Sequence, residues 1–128
     1  MSDQNANINS QQLIFACCGA SDVGAISDMA ARDMAKQGMG KLFCAAAVGA
    51  HIESYISKAR EASEIAVLDG CPMDCASKLL EHVGLSSFKH IRVTDAGMEK
   101  GKSPPAKDNI QKFIDFVAVK MQENGKNI

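Results

Sequence analysis

Four short apolar runs recur along the chain, and a stretch with helical periodicity follows each of them. Short continuous apolar runs are typical of strands that are buried on both faces of a parallel sheet. The runs predict strands near residues 13–17, 42–47, 65–69 and 90–94. The stretches that follow the runs would supply the helices that cover such a sheet.

Each of these stretches places apolar residues three and four positions apart, which predicts one buried face of a helix. The first predicted helix has Asp22 as its expected N-cap and Gly38 at its end. The periodic positions of the four predicted helices are Val23, Ile26, Ala30 and Met34; Ile52, Tyr55, Ile56 and Ala59; Cys75, Leu79 and Val83; and Ile110, Phe113, Ile114, Val117 and Met121.

Alternation of strands and helices predicts the α/β class, here a three-layer Rossmann- or flavodoxin-like domain. Right-handed crossovers then favour a four-stranded parallel sheet of order 2-1-3-4 with helices on both faces. We expect one domain over residues 11–124, with disordered tails at 1–10 and 125–128. Ligands of such sheets bind beyond the carboxyl ends of the strands where the strand order reverses, here between strands one and three.

Composition narrows the possible partners. A chain of 128 residues that is 46% hydrophobic suits one globular domain with a real core. Its apolar runs are too short to cross a membrane, and its net charge of -1 gives no attraction for nucleic acid. The segment 1–12 lacks the basic and apolar regions of a secretory signal, so we expect a cytoplasmic protein. A metal ion is the partner that the sequence suggests, and protein partners stay open.

The five cysteines concentrate at the predicted strands. Cys17 ends strand one with Cys18 directly after it, Cys44 lies in strand two, and Cys71 and Cys75 follow strand three. Neighbouring strands are ~4.8 Å apart, so thiols from both flanks of strand one can approach one ion above it. Cysteine clusters in a reducing compartment are more often metal or redox sites than disulfides. The placement predicts a thiolate site that suits Zn²⁺, with iron as an alternative.

Local context distinguishes the individual thiols. Cys71 and Cys75 are four residues apart, so they would share one face at a helix start, where the helix dipole favours thiolate. Pro72 suits the first turn of that helix. Cys18 would face away from Cys17 if the strand continues, which makes packing its expected role. Core packing is also the alternative for Cys44, because apolar residues surround it.

The motifs resemble those of the DGC-domain family of zinc-binding proteins. The family's name describes Asp69-Gly70-Cys71, and the segment 71–76 is similar to its central motif. The segment 17–24 resembles the family's opening Cys-Ser-Gly-Ala-Ser motif, with Cys18 where serine is usual. The resemblance implies four zinc-chelating cysteines and no established activity. The implied ligands are Cys17, Cys44, Cys71 and Cys75, and the extra thiol of Cys18 leaves open which of the adjacent pair binds.

Two other functions compete with that of a small cytoplasmic zinc-binding protein. One is a thiol–disulfide redox protein that uses Cys71 and Cys75 or the adjacent Cys17 and Cys18. The other is a flavodoxin-like ligand-binding module whose thiols only pack. Zinc on four thiolates would form a closed site, whereas zinc on three would leave a position for water and hydrolytic chemistry. The sequence leaves open whether the protein is an enzyme.

Some weaker signals in the sequence concern other sites. Residues 96–103 fit a loose phosphate-binding-loop pattern, but Pro104 disfavours a helix at Ser103, so a solvated loop is expected. Asp69 and Asp95 end strands three and four and either orient groups at the site or cap a turn. The histidines are expected on the surface or at helix ends, with His51 within approach of the site; they are His51, His82 and His90.

Overall fold

The computed structural model describes residues 12–123, a range that contains every predicted strand and helix. Its strands are β1 (Gln12–Ala16), β2 (Lys41–Leu42), β3 (Glu64–Asp69) and β4 (Lys89–Arg92). Its helices are α1 (Asp22–Lys36), α2 (Ala45–Gly49), α3 (Glu53–Glu61), α4 (Cys75–His82) and α5 (Lys107–Gln122), with a 3₁₀ turn at Val93–Ala96. The tails expected at 1–10 and 125–128 lie outside the described residues.

The strands form one parallel sheet of order β2-β1-β3-β4, which confirms the predicted topology. In the register, Ile14 lies between Leu42 of β2 and Ala66 of β3. The order reverses on either side of β1, so the carboxyl end of β1 is flanked by connections that leave in opposite directions. This end of the sheet is where a ligand is expected.

Helices cover both faces of the sheet because successive residues of a buried strand point to opposite sides. Ile14 packs into a cluster with α1 and α5, which we call the α1/α5 cluster. Leu13 and Phe15 pack into a second cluster with α2, α3 and α4, which we call the α2/α4 cluster. Phe15 and Phe113, fully buried, each contribute about 2–3 kcal/mol of burial free energy. Within residues 12–123, no helix is both long and apolar enough to span a membrane.

The second strand is much shorter than predicted, and the expected strand at 42–47 is wrong. β2 ends at Leu42, although the Phe43 amide still donates to the Ile14 carbonyl at 2.9 Å. Helix α2 then begins at Ala45, within a run of three alanines, the residue with the highest helix propensity. Cys44 therefore lies beyond the strand, at the edge of the sheet, and not within it.

The start of α1 also differs from the sequence-based expectation. Ser21, not Asp22, is the N-cap, and its Oγ accepts a hydrogen bond from the Gly24 amide at 3.0 Å. The Asp22 carboxylate instead accepts from the amides of Gly101 and Ser103, at 2.9 Å and 3.1 Å. Those amides belong to the segment that resembles a phosphate-binding loop. Because a carboxylate of the same chain occupies them, the segment is a docked surface loop.

Candidate thiol site at the carboxyl edge of the sheet

A pocket of about 660 Å³ opens beyond the carboxyl ends of β1 and β2. Four of the chain's five cysteines line it: Cys17, Cys18, Cys44 and Cys75. The rest of its wall is formed by Ala16, Asp28, Arg32, Leu42, Phe43, Ala45, Ala46, Ala76 and Leu79. All five cysteines are free thiols. We call this space the thiol pocket.

Cys17 is anchored at the end of β1. Its amide donates to the Leu68 carbonyl at 3.0 Å, and its Sγ lies 3.2 Å from the Oγ of Ser27. Ser27 is fully buried on α1, and its hydroxyl donates to the Gly24 carbonyl at 2.7 Å. The Cys17 thiol is half-buried and therefore held between the strand and the first helix.

Cys18 does not face the packed side of strand one, so that expectation is wrong. β1 ends at Ala16, and the alternation of side chains across a strand no longer applies two residues later. The Cys18 thiol is exposed and lines the same pocket as that of Cys17.

Cys44 and Cys75 enter the thiol pocket from two helix starts. Cys44 is the N-cap of α2, and its Sγ accepts a hydrogen bond from the Ala47 amide at 3.3 Å. Cys75 is the first residue of α4. Both thiols are exposed. Core packing, the alternative considered for Cys44, does not describe its position.

Cys71 is the thiol that lies apart. It packs against the α1/α5 cluster, and Lys100 Nζ lies 3.6 Å from its Sγ. The prediction that Cys71 and Cys75 share one helical face is wrong. Asp74 adopts a left-handed conformation with φ of 56°, so the helix begins only at Cys75. Pro72 accordingly lies in the turn that the Asp74 amide closes on the Cys71 carbonyl, at 3.1 Å.

The thiols of the pocket are neighbours without being preassembled ligands. A tetrahedral ion with ~2.3 Å zinc–sulfur bonds would hold its sulfur atoms ~3.8 Å apart. Among residues 12–123, one group of three metal-ligating side chains has its atoms within 4.8 Å of one another, and it consists of Asp69, Asp74 and His90. The cysteine side chains would therefore have to rotate towards a bound ion.

Asp69 is the buried anchor of this end of the sheet. Only 1% of it is exposed, and its carboxylate accepts hydrogen bonds from the amides of Ala76 at 2.8 Å and Ser77 at 3.2 Å. Asp74 occupies the N-cap position of α4 but makes no capping bond with its side chain. Asp69, five residues earlier, supplies the cap, which agrees with one of the two roles expected for it.

Two side chains of β4 hold the loop that carries Cys71 and Cys75. His90 Nε2 lies 2.8 Å from Asp69 Oδ2 and 3.5 Å from Asp74 Oδ1. Arg92 donates two hydrogen bonds of 2.7 Å to Asp74. These bonds lower the pKa of Asp74 below its ordinary value and raise that of Arg92. The carboxylates of Asp69 and Asp74 are thus already paired with N–H donors of the protein. The Asp–Asp–His group is therefore a structural network.

The sequence-based interpretation missed His90 and Arg92 as site residues. The sequence signal for them was the i, i+2 spacing of His90 and Arg92 on a predicted strand, which puts both side chains on one face. The strand register then sets Arg92 opposite Asp69. Asp95 lies 3.6 Å from Arg92 and adds to the same network. His51 and His82 are exposed, lie edge to face with ring centroids 6.2 Å apart, and do not line the thiol pocket.

Comparison with known proteins agrees with these motifs. The family profile of the DGC domain matches residues 13–117. The chain belongs to the DGC-domain family. It is also 27% identical over 106 residues to the anaerobic and virulence modulator AnvM of Pseudomonas aeruginosa, a match that covers 81% of each chain. No solved structure shows a significant match. The resemblance that the sequence motifs suggested is confirmed at the level of the family.

Proposed function

We propose that this protein is a small cytoplasmic zinc-binding protein whose ion is held by cysteine thiolates at the thiol pocket. The observation that carries the proposal is the convergence of four free thiols, from just beyond β1 and from the starts of α2 and α4, on one pocket at the ligand-binding end of the sheet. Thiolates are the ligands that favour Zn²⁺ among common cellular ions. Five free thiols also suit a reducing compartment.

Three of the four ligands predicted from the sequence, Cys17, Cys44 and Cys75, line the pocket together. The fourth predicted ligand, Cys71, contacts Lys100 and the α1/α5 cluster. The structure favours Cys18 over Cys71 as the fourth thiolate, because Cys18 reaches the pocket without any rearrangement of the loop.

Zinc would act here mainly as a cross-link between elements that are distant in sequence. It would join the end of β1 to the starts of α2 and α4 and would release protons from the thiols that bind it. Asp28, the carboxylate on the pocket wall, is already paired with Arg32 at 3.2 Å. A structural, sensing or metal-handling role therefore fits the pocket better than hydrolysis, which needs a free general base.

The proposal is tested by the zinc content of purified protein and of single Cys→Ser variants. We expect about one Zn²⁺ per chain in the wild type and in Cys71→Ser. Cys75→Ser should lose the zinc, and Cys18→Ser should bind it with lower affinity. Loss of zinc in Cys71→Ser with retention in Cys18→Ser would restore the ligand set predicted from the sequence. A folded wild-type chain that binds no zinc, with a melting temperature unchanged by added zinc, would contradict the proposal.

One form of the redox alternative keeps a structural basis. Cys17 and Cys18 line the same pocket, whereas Cys71 and Cys75 lie in different surroundings. A thiol–disulfide function would therefore use Cys17 and Cys18. Mild oxidation followed by peptide mapping tests it: a disulfide between these two that a chelator does not affect would favour redox chemistry over metal binding.

A further inference from the structure

The thiol pocket is much larger than a metal ion requires. Its volume of about 660 Å³ compares with ~30 Å³ for one water molecule in the liquid. Pockets that bind small organic molecules typically measure ~300–1,000 Å³. An ion held at the thiols would leave most of this space open.

Part of the pocket wall is apolar and well supported. Leu42, Phe43 and Leu79 line the pocket together with alanines from α2 and α4. The Phe43 ring packs edge-on against Phe15, with centroids 5.6 Å apart, and against Tyr55 at 5.3 Å. Because Phe15 is fully buried, Phe43 has a fixed surface behind it. The pocket thus presents a stable apolar face to a ligand.

A single cation lies on the pocket wall. Arg32 of α1 donates through Nε to Asp28 at 3.2 Å, one turn earlier on the same helix. A guanidinium carries five N–H donors, and Nε supplies one of them. The structure shows no other hydrogen bond of Arg32 to residues 12–123, so its terminal nitrogens remain for a ligand. Asp28 holds the guanidinium through Nε, and the two terminal nitrogens can then donate to a second carboxylate or to another anion.

We propose that the thiol pocket binds a small organic anion with an apolar body. The anionic group pairs with the terminal nitrogens of Arg32, the body lies against Leu42, Phe43 and Leu79, and the far end approaches the thiols. This site is additional to the metal site and does not depend on it, because neither Arg32 nor the apolar wall supplies a thiolate.

The test uses two dyes with a shared apolar body, 8-anilinonaphthalene-1-sulfonate, an anion, and N-phenyl-1-naphthylamine, which is neutral. Fluorescence titrations compare the wild type with Arg32→Gln, with Leu79→Gln and with Arg60→Gln. Arg60 is an exposed arginine of α3 outside the pocket, so it serves as the matched control. Each titration is run with a chelator and again with zinc, so that loss of metal binding is recorded separately.

We expect Arg32→Gln to weaken the anionic dye about fivefold and to leave the neutral dye unchanged, as an ion pair at an exposed rim allows. Leu79→Gln should weaken both dyes, and Arg60→Gln neither. Equal binding of the anionic dye by wild type and Arg32→Gln would overturn the proposal, as would neutral-dye binding that ignores Leu79→Gln.

A double variant excludes an indirect effect. Removing Arg32 also uncovers the Asp28 carboxylate, which would repel an anion by itself. The Asp28→Asn and Arg32→Gln double variant lacks both charges. We expect it to bind the anionic dye as weakly as Arg32→Gln alone; a return to wild-type affinity would show that Arg32 only neutralises Asp28 and would overturn the assigned pairing.

Discussion

Gly70 packs directly on the backbone of Gly24, so closely that a Cβ atom at position 70 would lie 2.6 Å from the Gly24 amide nitrogen. The contact joins the end of β3 to the first turn of α1. A Cβ at position 24 would in turn lie 3.3 Å from the Cys17 Sγ. The two glycines therefore let the loop that carries Cys71 and Cys75 approach the loop that carries Cys17 and Cys18.

Gly70→Ala should destabilise the fold by about 3 kcal/mol or more, because the added carbon overlaps backbone atoms that cannot move aside like a side chain. The measurement is the free energy of unfolding in denaturant. Gly38→Ala is the control: Gly38 has φ of 81° and open space around it, so that variant carries only backbone strain, about 1–2 kcal/mol. Equal losses in the two variants would show that the contact with Gly24 is not tight.

Arg92→Gln should lower the free energy of unfolding by about 1 kcal/mol at pH 7, since it leaves Asp74 without its two strongest hydrogen bonds in a partly exposed position. The pKa of Asp74 is held below its ordinary value of 3.8, chiefly by Arg92. A carboxyl with a depressed folded-state pKa contributes stability above its unfolded pKa and loses it as the pH falls through the folded pKa.

The difference between wild type and Arg92→Gln should therefore be fully present above about pH 5 and should shrink as the pH falls below about 4. Taking the difference between wild type and variant removes the titration of the carboxyls that do not interact with Arg92; Asp95, 3.6 Å from Arg92 and 56% exposed, adds a smaller contribution. Arg60→Gln, exposed on α3, should show no such pH dependence. A difference that stays constant down to pH 3 would mean that the Asp74–Arg92 pair does not titrate as proposed.

Asp69→Asn should cost about 1–3 kcal/mol, because one buried acceptor oxygen is replaced by an N–H₂ group that faces the donors of α4 and His90. Thermal melting of the variant is compared with that of Asp95→Asn, whose carboxylate is 56% exposed. We expect a clear loss for Asp69→Asn and almost none for Asp95→Asn. Equal melting temperatures would contradict the role of Asp69 as the buried cap of α4.

Asp22→Ala should release the loop that ends at Ser103. Amide hydrogen exchange of Gly101 and Ser103 should become much faster, because the carboxylate that accepts from both amides is gone. The Gly101 amide is the main reason that the pKa of Asp22 lies below its ordinary value, so the contact should persist down to below about pH 4 in the wild type. Asp108→Ala, which removes a hydrogen bond from the neighbouring Asn109 amide, serves as the control.

Zinc should protect the thiols of the pocket from alkylation and leave Cys71 almost unaffected. Coordinated thiolates react slowly with alkylating reagents and quickly after chelation. Peptide mapping reads all five positions in one experiment, and Cys71 is the internal reference because it lies away from the pocket. Protection of Cys71 with no protection of Cys18 would mean that Cys71, and not Cys18, is the fourth zinc ligand.

The order and class of the sheet could be predicted because they depend on local periodicity. Four apolar runs separated by amphipathic helices leave few topologies once crossovers are right-handed, and the observed order β2-β1-β3-β4 is the predicted one. The carboxyl edge of the sheet as the place of the thiols follows from the same pattern. The capping role of Asp69 was also within reach, since it was one of two alternatives.

The membership of the thiol pocket was decided only by tertiary structure. Cys18 reaches the pocket because β1 ends at Ala16, and Cys71 leaves it because Asp74 turns left-handed before α4. The directions of these side chains depend on where a strand ends or a helix begins. Those boundaries depend in turn on contacts between residues that are distant in sequence, such as the hydrogen bond from Arg92 to Asp74. The sequence alone therefore determined which residue types meet at this edge, whereas long-range packing decided which thiols line one pocket.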